Sequence, residues 1–283
     1  MKILVTGATG FIGNHVINYL LKNTNHDVIA SSRSIDKAKD FSWFAKVMYV
    51  PWTIGTNPSS ALYKDFNSPD LCIHLAWDGL PHFKNEEHID VFFKNHLDFL
   101  STLIDQGLPK LSVTGTCLEY GMREGELTEE MPPEPTLAYP IGKNKLRTAL
   151  KQKKKTVSFK FDWIRLFYMF GEGQNPKSIL AQLDKHLDEN EPVFNMSAGE
   201  QVRDYLPVEK IAEVIAKLAT HNEGNGIINC CSGVPITIKQ LVEDRMAEKN
   251  AQIELNLGYY PYPDYEPFKF WGSTKKLDEL LRD

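Results

Sequence analysis

The sequence predicts an α/β fold: a doubly wound parallel sheet with a smaller C-terminal α/β lobe. Three observations carry this. Short apolar runs, of the kind a buried parallel strand needs, alternate with helix-like segments through the first 168 residues. Three evenly spaced glycines sit at the first strand-to-helix junction. Beyond Gly171 and Gly173 the punctuation changes, and the 283-residue chain is long enough for a main domain plus an annex.

The first strand is marked by Ile3, Leu4 and Val5, and an apolar helix-like segment follows from Phe11 to Leu21. Between them stand Gly7, Gly10 and Gly13, in the run T-G-A-T-G-F-I-G with Thr9 inside it. Glycine lets the backbone turn tightly and approach a ligand closely. The free N–H groups of the helix start, at Phe11, Ile12 and Gly13, then face whatever anion is bound. That is how a Rossmann-like dinucleotide fold holds a pyrophosphate. The spacing is G-x-x-G-x-x-G rather than G-x-G-x-x-G, so the common fingerprint is matched in mechanism only. Glycine-rich turns without a ligand are frequent. The place of this one, after a buried strand and before a helix, favours a cofactor.

A second strand, His26 to Ala30, ends in Ser31-Ser32-Arg33-Ser34. An acid here would bond the ribose hydroxyls of NAD, whereas an arginine suits the 2′-phosphate of NADP. Ser32 and Arg33 stand there and no acid does. Read alone, Arg33 is a solvated loop residue. After the glycine turn it makes NADP(H) the first choice of cofactor and NAD(H) the second.

Val47 to Val50 reads as a third strand and Asp70 to Ala76 as a fourth, with Leu75 and Ala76 at its cofactor end. His74 inside that run is either a ligand or, more commonly, a satisfied core residue. Helical spacing of apolar residues between Asp90 and Gln106 stops at Gly107 and Pro109, and Leu111 to Thr114 resumes strand character. Two stretches then carry chemistry. Gly115 to Gly121 follows the strand directly, where open α/β sheets bind ligands. Ala138 to Lys143 opens a helix on which Tyr139 and Lys143, four residues apart, share a face. An ammonium beside a phenol favours the phenolate and lowers the tyrosine pKa, so such a Tyr exchanges a proton with a sugar hydroxyl near neutral pH. Taken alone, Y-x-x-x-K is common enough to be an accident. It gains weight from the N-terminal glycines.

The lysine-rich run 151–155 reads as a solvated helix end. Trp163 to Tyr168 reads as a strand, so residues 1–168 form the dinucleotide-binding domain. Residues 169–283 form mainly the substrate lobe, with about 203–231 returning to the first domain. In that part helices are expected around Ile179–Leu187 and Val208–Leu218, and a strand at Ile227–Cys230. The aromatic run Tyr259 to Pro263 is either a substrate wall or a rigid packed loop. The eight histidines form no ligand pair such as H-E-x-x-H, so no metal is expected. A net charge of -5 argues against a broad nucleic-acid surface. Four cysteines, without C-x-x-C spacing, read as reduced thiols. With no signal peptide before the first strand and no long apolar segment, the expected location is the cytoplasm, away from membranes.

Taken in order, T-G-A-T-G-F-I-G, the Thr116 to Gly121 segment, Y-x-x-x-K at Tyr139 and R-D-Y-L-P-V at Arg203 resemble an extended short-chain dehydrogenase/reductase of the nucleotide-sugar epimerase/dehydratase group. The resemblance covers essentially the whole chain. It implies that Tyr139 is the catalytic acid/base. Lys143 would position the nicotinamide ribose and lower the Tyr pKa, and Thr116 would bond the reacting oxygen. It also implies a C-terminal lobe over a nucleotide-sugar, with Arg203 near the diphosphate, Cys117 and Asn175 among the substrate contacts, and a homodimer built on the Tyr–Lys helix and the helix before it.

Absences narrow the reaction. The 4,6-dehydratases place an Asp/Glu pair after the Thr, where this chain has Cys117-Leu118, with Glu119 one position late. The reductases that also epimerise carry a Cys and a His where this chain has Leu118 and Gly173. Hydride transfer at a single sugar carbon remains. The nearest resemblance is to NADPH-dependent 4-reductases of 4-keto-6-deoxy nucleotide sugars (dTDP-, CDP- or GDP-linked), through H-L-A-W at His74, V-T-G-T-C-x-E-Y-G-M at Val113 and R-L-F-Y-M-F-G-E-G-Q-N-P at Arg165. Such enzymes serve O-antigen and lipopolysaccharide deoxysugar synthesis. An NAD-dependent C4 epimerase and a non-catalytic NADP(H) sensor stay open as alternatives.

Overall fold

The structure is a computed structural model and describes residues 1–282. In its first half the elements run β1 (Lys2–Thr6), α1 (Phe11–Asn23), β2 (Asp27–Ser31), α2 (Ile35–Lys39), β3 (Met48–Tyr49), α3 (Leu62–Asp65), β4 (Leu71–His74), α4 (Val91–Asp105), β5 (Lys110–Thr116), β6 (Gly125–Leu127) and α5 (Ala138–Lys153). The second half adds β7 (Lys160–Leu166), β8 (Tyr168–Phe170), α6 (Ile179–Asp188), β9 (Val193–Asn195), β10 (Val202–Pro207), α7 (Val208–Thr220), β11 (Gly226–Cys230), β12 (Pro235–Thr237), α8 (Ile238–Glu248), β13 (Glu254–Asn256), β14 (Phe270–Gly272) and α9 (Lys275–Leu280).

Seven strands form one parallel sheet in the order β11-β7-β5-β4-β1-β2-β3. This is the doubly wound α/β fold that alternating strands and helices predict. Because side chains alternate along a strand, β1 sends Ile3 and Val5 to one face and Leu4 to the other. The first face is covered by Val16, Ile17 and Leu20 of α1 and Ile211, Ile215 and Leu218 of α7. The second is covered by Phe99, Leu100 and Leu103 of α4 with Leu146 and Leu150 of α5. Strand order reverses between β1 and β4, which leaves a crevice beyond their carboxyl ends.

Two element boundaries differ from the sequence reading. The run from Trp163 to Tyr168 is two strands: Phe167 N donates to Cys230 O, and the chain then crosses into a three-stranded sheet, β12-β10-β8. The fourth strand stops at His74, and Leu75-Ala76 turns off the sheet to line the crevice. Of residues 203–231, α7 and β11 lie on the main sheet, whereas β10 belongs to the small one. The lobe has its own core of Leu180 and Leu183 from α6, Leu241, Val242 and Met246 from α8, and Phe194. Tyr259 and Tyr260 are 58% and 54% exposed, so neither is packed into a core. Among the described residues no helix is long and apolar enough to cross a membrane, and no group of three or more His, Cys, Asp or Glu is placed to hold a metal.

Candidate active site

The glycine turn is built by close approach. Gly7 has φ +69°, and a Cβ on it would stand 2.8 Å from Ala76 N. A Cβ on Gly13 would stand 2.2 Å from Gly7 O, so α1 begins directly against the turn. Gly10 is the N-cap residue of α1 and offers no side-chain acceptor, and the first turn of α1 carries no acid. Among the described residues no side chain caps the start of α1, the electrostatic condition for an anion site.

One cleft at the β1/β4 switch point is lined by Gly7, Thr9, Gly10, Ser32, Arg33, Leu75 and Ala76, all expected from the sequence. Ser34, Lys37, Trp77 and Asp78 join them. Arg33 Nη1 reaches Asp78 Oδ1 at 3.2 Å, and Ser34 caps α2 by accepting from Lys37 N. Glycine packing that no Cβ could share, a bare helix start and a Ser/Arg/Lys end together fit a dinucleotide with its pyrophosphate on the turn.

Tyr139 and Lys143 lie in the first two turns of α5, both buried. Tyr139 N donates to Phe83 O at 3.0 Å, and its ring meets those of Trp77 (6.1 Å) and His88 (5.5 Å) edge-on. Lys143 is 1% exposed. Its Nζ donates to Thr114 O at 2.8 Å and stands 4.2 Å from the Trp77 ring centroid.

This arrangement differs from one expectation. Around Tyr139 burial outweighs any lowering by the Lys143 ammonium, which is engaged by a carbonyl and an indole. Burial raises the phenol well above its ordinary value, with the charge of Glu119 adding to it. Burial thus favours the neutral phenol. Burial pushes Lys143 down to about 7, opposed by Glu119.

Thr116 ends β5 and starts a short 3₁₀ turn, Cys117–Tyr120. Its Oγ1 accepts from Leu118 N (3.3 Å) while Glu119 accepts from Thr116 N (3.0 Å), a reciprocal cap that fixes the threonine. Glu119 is fully buried and also accepts from Trp163 Nε1 (2.9 Å) and Arg165 Nε (3.0 Å). Cys117 is buried among Tyr120, Phe167 and Phe270, and burial raises its thiol, so it is a neutral packing group.

The remaining predicted residues are placed differently. Phe11, Ile12 and Gly13 are not among the residues that line the cleft; the Phe11 ring lies edge-on to His15 and Ile12 packs against the main core. Asn175 is exposed, and its Oδ1 accepts from Lys177 N at 2.9 Å, outside the cleft lining. Arg203 is 2% exposed, donates to Glu266 Oε2 at 2.9 Å and lies over the Phe270 ring. A diphosphate would meet an arginine already held by a carboxylate. Sequence reasoning missed Trp77, Asp78, Lys37 and Glu266. The signal for the first two was adjacency to Leu75-Ala76, and for Lys37 its place three residues after an N-capping serine. Glu266 left none.

Fold and site together define an extended short-chain dehydrogenase/reductase. Residues 3–231 match the NAD dependent epimerase/dehydratase family, and the chain belongs to it. That family comprises NAD(P)-dependent nucleotide-sugar oxidoreductases, epimerases and dehydratases. The chain is similar to a dTDP-6-deoxy-L-talose 4-dehydrogenase (NAD(+)) of Aggregatibacter actinomycetemcomitans, 29% identical over 96% of this chain and 100% of that protein. It is 24% identical to the dTDP-4-dehydro-6-deoxyglucose reductase of Escherichia coli, over 85% of this chain and 79% of that one. A UDP-glucuronic acid 4-epimerase from Bacillus cereus, solved with UDP-glucuronic acid and NAD, superposes with a TM-score of 0.83 at 22% identity, covering 100% and 93% of the two chains.

Proposed function

We propose that this enzyme reduces the C4 keto group of a 4-keto-6-deoxy nucleotide sugar, with NADPH as the preferred cofactor, to give a deoxyhexose nucleotide for surface polysaccharides. The observation that carries this is a buried Tyr139–Lys143 pair whose nearby carboxylate among the described residues, Glu119, is already engaged. The positions that hold an Asp/Glu pair in dehydratases are Cys117 and Leu118, and Glu119 is bound by Arg165 and Trp163. Elimination lacks its acid and base, whereas ketone reduction needs only a proton donor. The relative from Aggregatibacter is named for redox chemistry at the same carbon in the opposite sense.

A dinucleotide held by Gly7, Gly10, Ser32 and Arg33 would supply the hydride exchanged with C4. Tyr139, a neutral phenol, donates its proton to the C4 oxygen as negative charge develops there. The Lys143 ammonium stabilises the phenolate left behind. Thr116 Oγ1 bonds the same C4 oxygen, and the buried walls exclude water. In the oxidative direction the roles of Tyr139 reverse.

Purified enzyme, mixed with NADPH or NADH and a panel of 4-keto-6-deoxy nucleotide sugars, tests the reading. The expected result is stoichiometric loss of the reduced cofactor's absorbance, faster with NADPH. Interconversion of intact nucleotide sugars without net consumption would make the enzyme an epimerase. Cofactor binding with no conversion of any sugar would leave a sensor.

Two further expectations belong to this site. Arg33→Ala should weaken NADPH binding roughly tenfold while leaving NADH binding nearly unchanged, measured by fluorescence titration. Equal losses for both cofactors would remove Arg33 from 2′-phosphate recognition. The second concerns pH. Lys143 titrates near a pKa of about 7, so its charge is present below that value and lost above it. The kcat/KM for cofactor, which reports the free enzyme, should fall as pH rises through neutrality. A profile flat across neutrality would show that the ammonium is not required.

A further inference from the structure

Trp77 follows the H-L-A segment at the end of β4 and reaches from the cofactor cleft to α5. Its indole meets both groups assigned to proton transfer: Lys143 Nζ over its face at 4.2 Å and the Tyr139 ring edge-on at 6.1 Å. The indole is itself held from two sides. It stacks on His96 at 4.5 Å with an interplanar angle of 15°, and Nε1 donates to His88 Nδ1 at 3.1 Å. Behind it, His96 Nδ1 pairs with His74 Nε2 (2.8 Å) and His74 Nδ1 with Thr6 Oγ1 (2.9 Å), so the stack is tied through β4 to β1. Burial lowers the pKa of all three imidazoles, which favours neutral packing groups. Among the described residues, the hydrogen-bond acceptor that Lys143 uses is Thr114 O. An ammonium has three donors, so the indole face supplies the rest of its surroundings.

We propose that Trp77 is the positioning residue for Lys143: its indole face holds the buried ammonium beside Tyr139 before cofactor arrives. The inference rests on the reading of Tyr139 and Lys143 as the proton-transfer pair, and it adds the side chain that places one of them. The titratable groups facing Lys143 are Glu119 from the turn after β5, His74 from β4, His88 from the turn before α4 and His96 from α4, with Tyr139 four residues away on its own helix. Glu119 is the carboxylate in that set, and three core donors already engage it. A π-face therefore supports the charged lysine without adding a negative charge that would oppose a nucleotide.

The test compares wild type with Trp77→Leu, which removes the π-face, and Trp77→Phe, which keeps a π-face and loses the bond to His88. The first readout needs neither cofactor nor substrate: the pH titration of the Lys143 Cε resonance in carbon-13-labelled protein, assigned by its absence in Lys143→Arg. Trp77→Leu should lower the midpoint by about one pH unit, and Trp77→Phe should restore most of it. The alkaline limb of kcat/KM should move with it. A folded Trp77→Leu protein with an unmoved midpoint, or a Phe variant displaced as far as Leu, overturns the proposal, since a merely structural tryptophan would cost stability without moving this titration. Trp77→Met, which fills more of the space without a π-face, takes the place of Leu if that variant does not fold. If wild type converts no 4-keto sugar, the functional reading fails while the titration still decides the Trp77 contact.

Discussion

Replacing Tyr139 by Phe is expected to lower turnover of the 4-keto sugar by roughly three orders of magnitude, with cofactor affinity and thermal stability near wild type. General acid catalysis by a positioned side chain contributes about 10²–10⁴-fold. The ring of Tyr139 is held by Phe83, Trp77 and His88, contacts that Phe can keep. Because those ring contacts survive the change, the loss falls on the proton and not on the fold. Single-turnover rates with saturating NADPH, beside a cofactor titration, separate the two. A variant that kept more than about a tenth of the wild-type rate would show that another group supplies the proton.

Replacing Glu119 by Ala should produce the largest loss of stability, about 3–5 kcal/mol by urea denaturation. Its carboxylate accepts from Thr116 N, Trp163 Nε1 and Arg165 Nε, and both it and Arg165 are fully buried. Among the described residues Nη1 and Nη2 of Arg165 have no hydrogen-bond partner, and Glu119 is the counter-ion bound to its Nε. Removing it strands a buried charge, which costs more than the pair itself contributes. Glu119→Gln, which keeps the shape and the acceptor while dropping the charge, should fall between Ala and wild type. Because the same carboxylate caps the turn beginning at Thr116, turnover should fall as well. A change in stability below about 1 kcal/mol for Ala would mean that Arg165 finds another partner.

These two residues mark how far the sequence could be read. The parallel α/β class follows from alternating apolar runs and helical spacing, which are local properties of the chain, whereas the order of the seven strands is set by their pairing in space. The glycine turn was equally legible, because tight turns and close backbone approach demand glycine at particular positions. Tyr139 and Lys143 were legible as a pair, since residues four apart on a helix share a face. What that face meets was not. The strand break at Phe167 was missed because β7 and β8 are one apolar run, and only their partners in two different sheets divide them.

The sequence by itself determined the fold class, the cofactor turn at Gly7, Gly10 and Gly13, and the residues offered for proton transfer. Tertiary structure alone decided their electrostatics. It set Lys143 on Thr114 O and the Trp77 face rather than on the phenol. It buried Glu119 under Arg165, held Arg203 with Glu266, and left Asn175 on the surface. The physical reason is that periodicity and turn chemistry act between chain neighbours. Burial and charge pairing act through space, as between Glu119 and Arg165 or Arg203 and Glu266, whose separation along the chain carries no local signal.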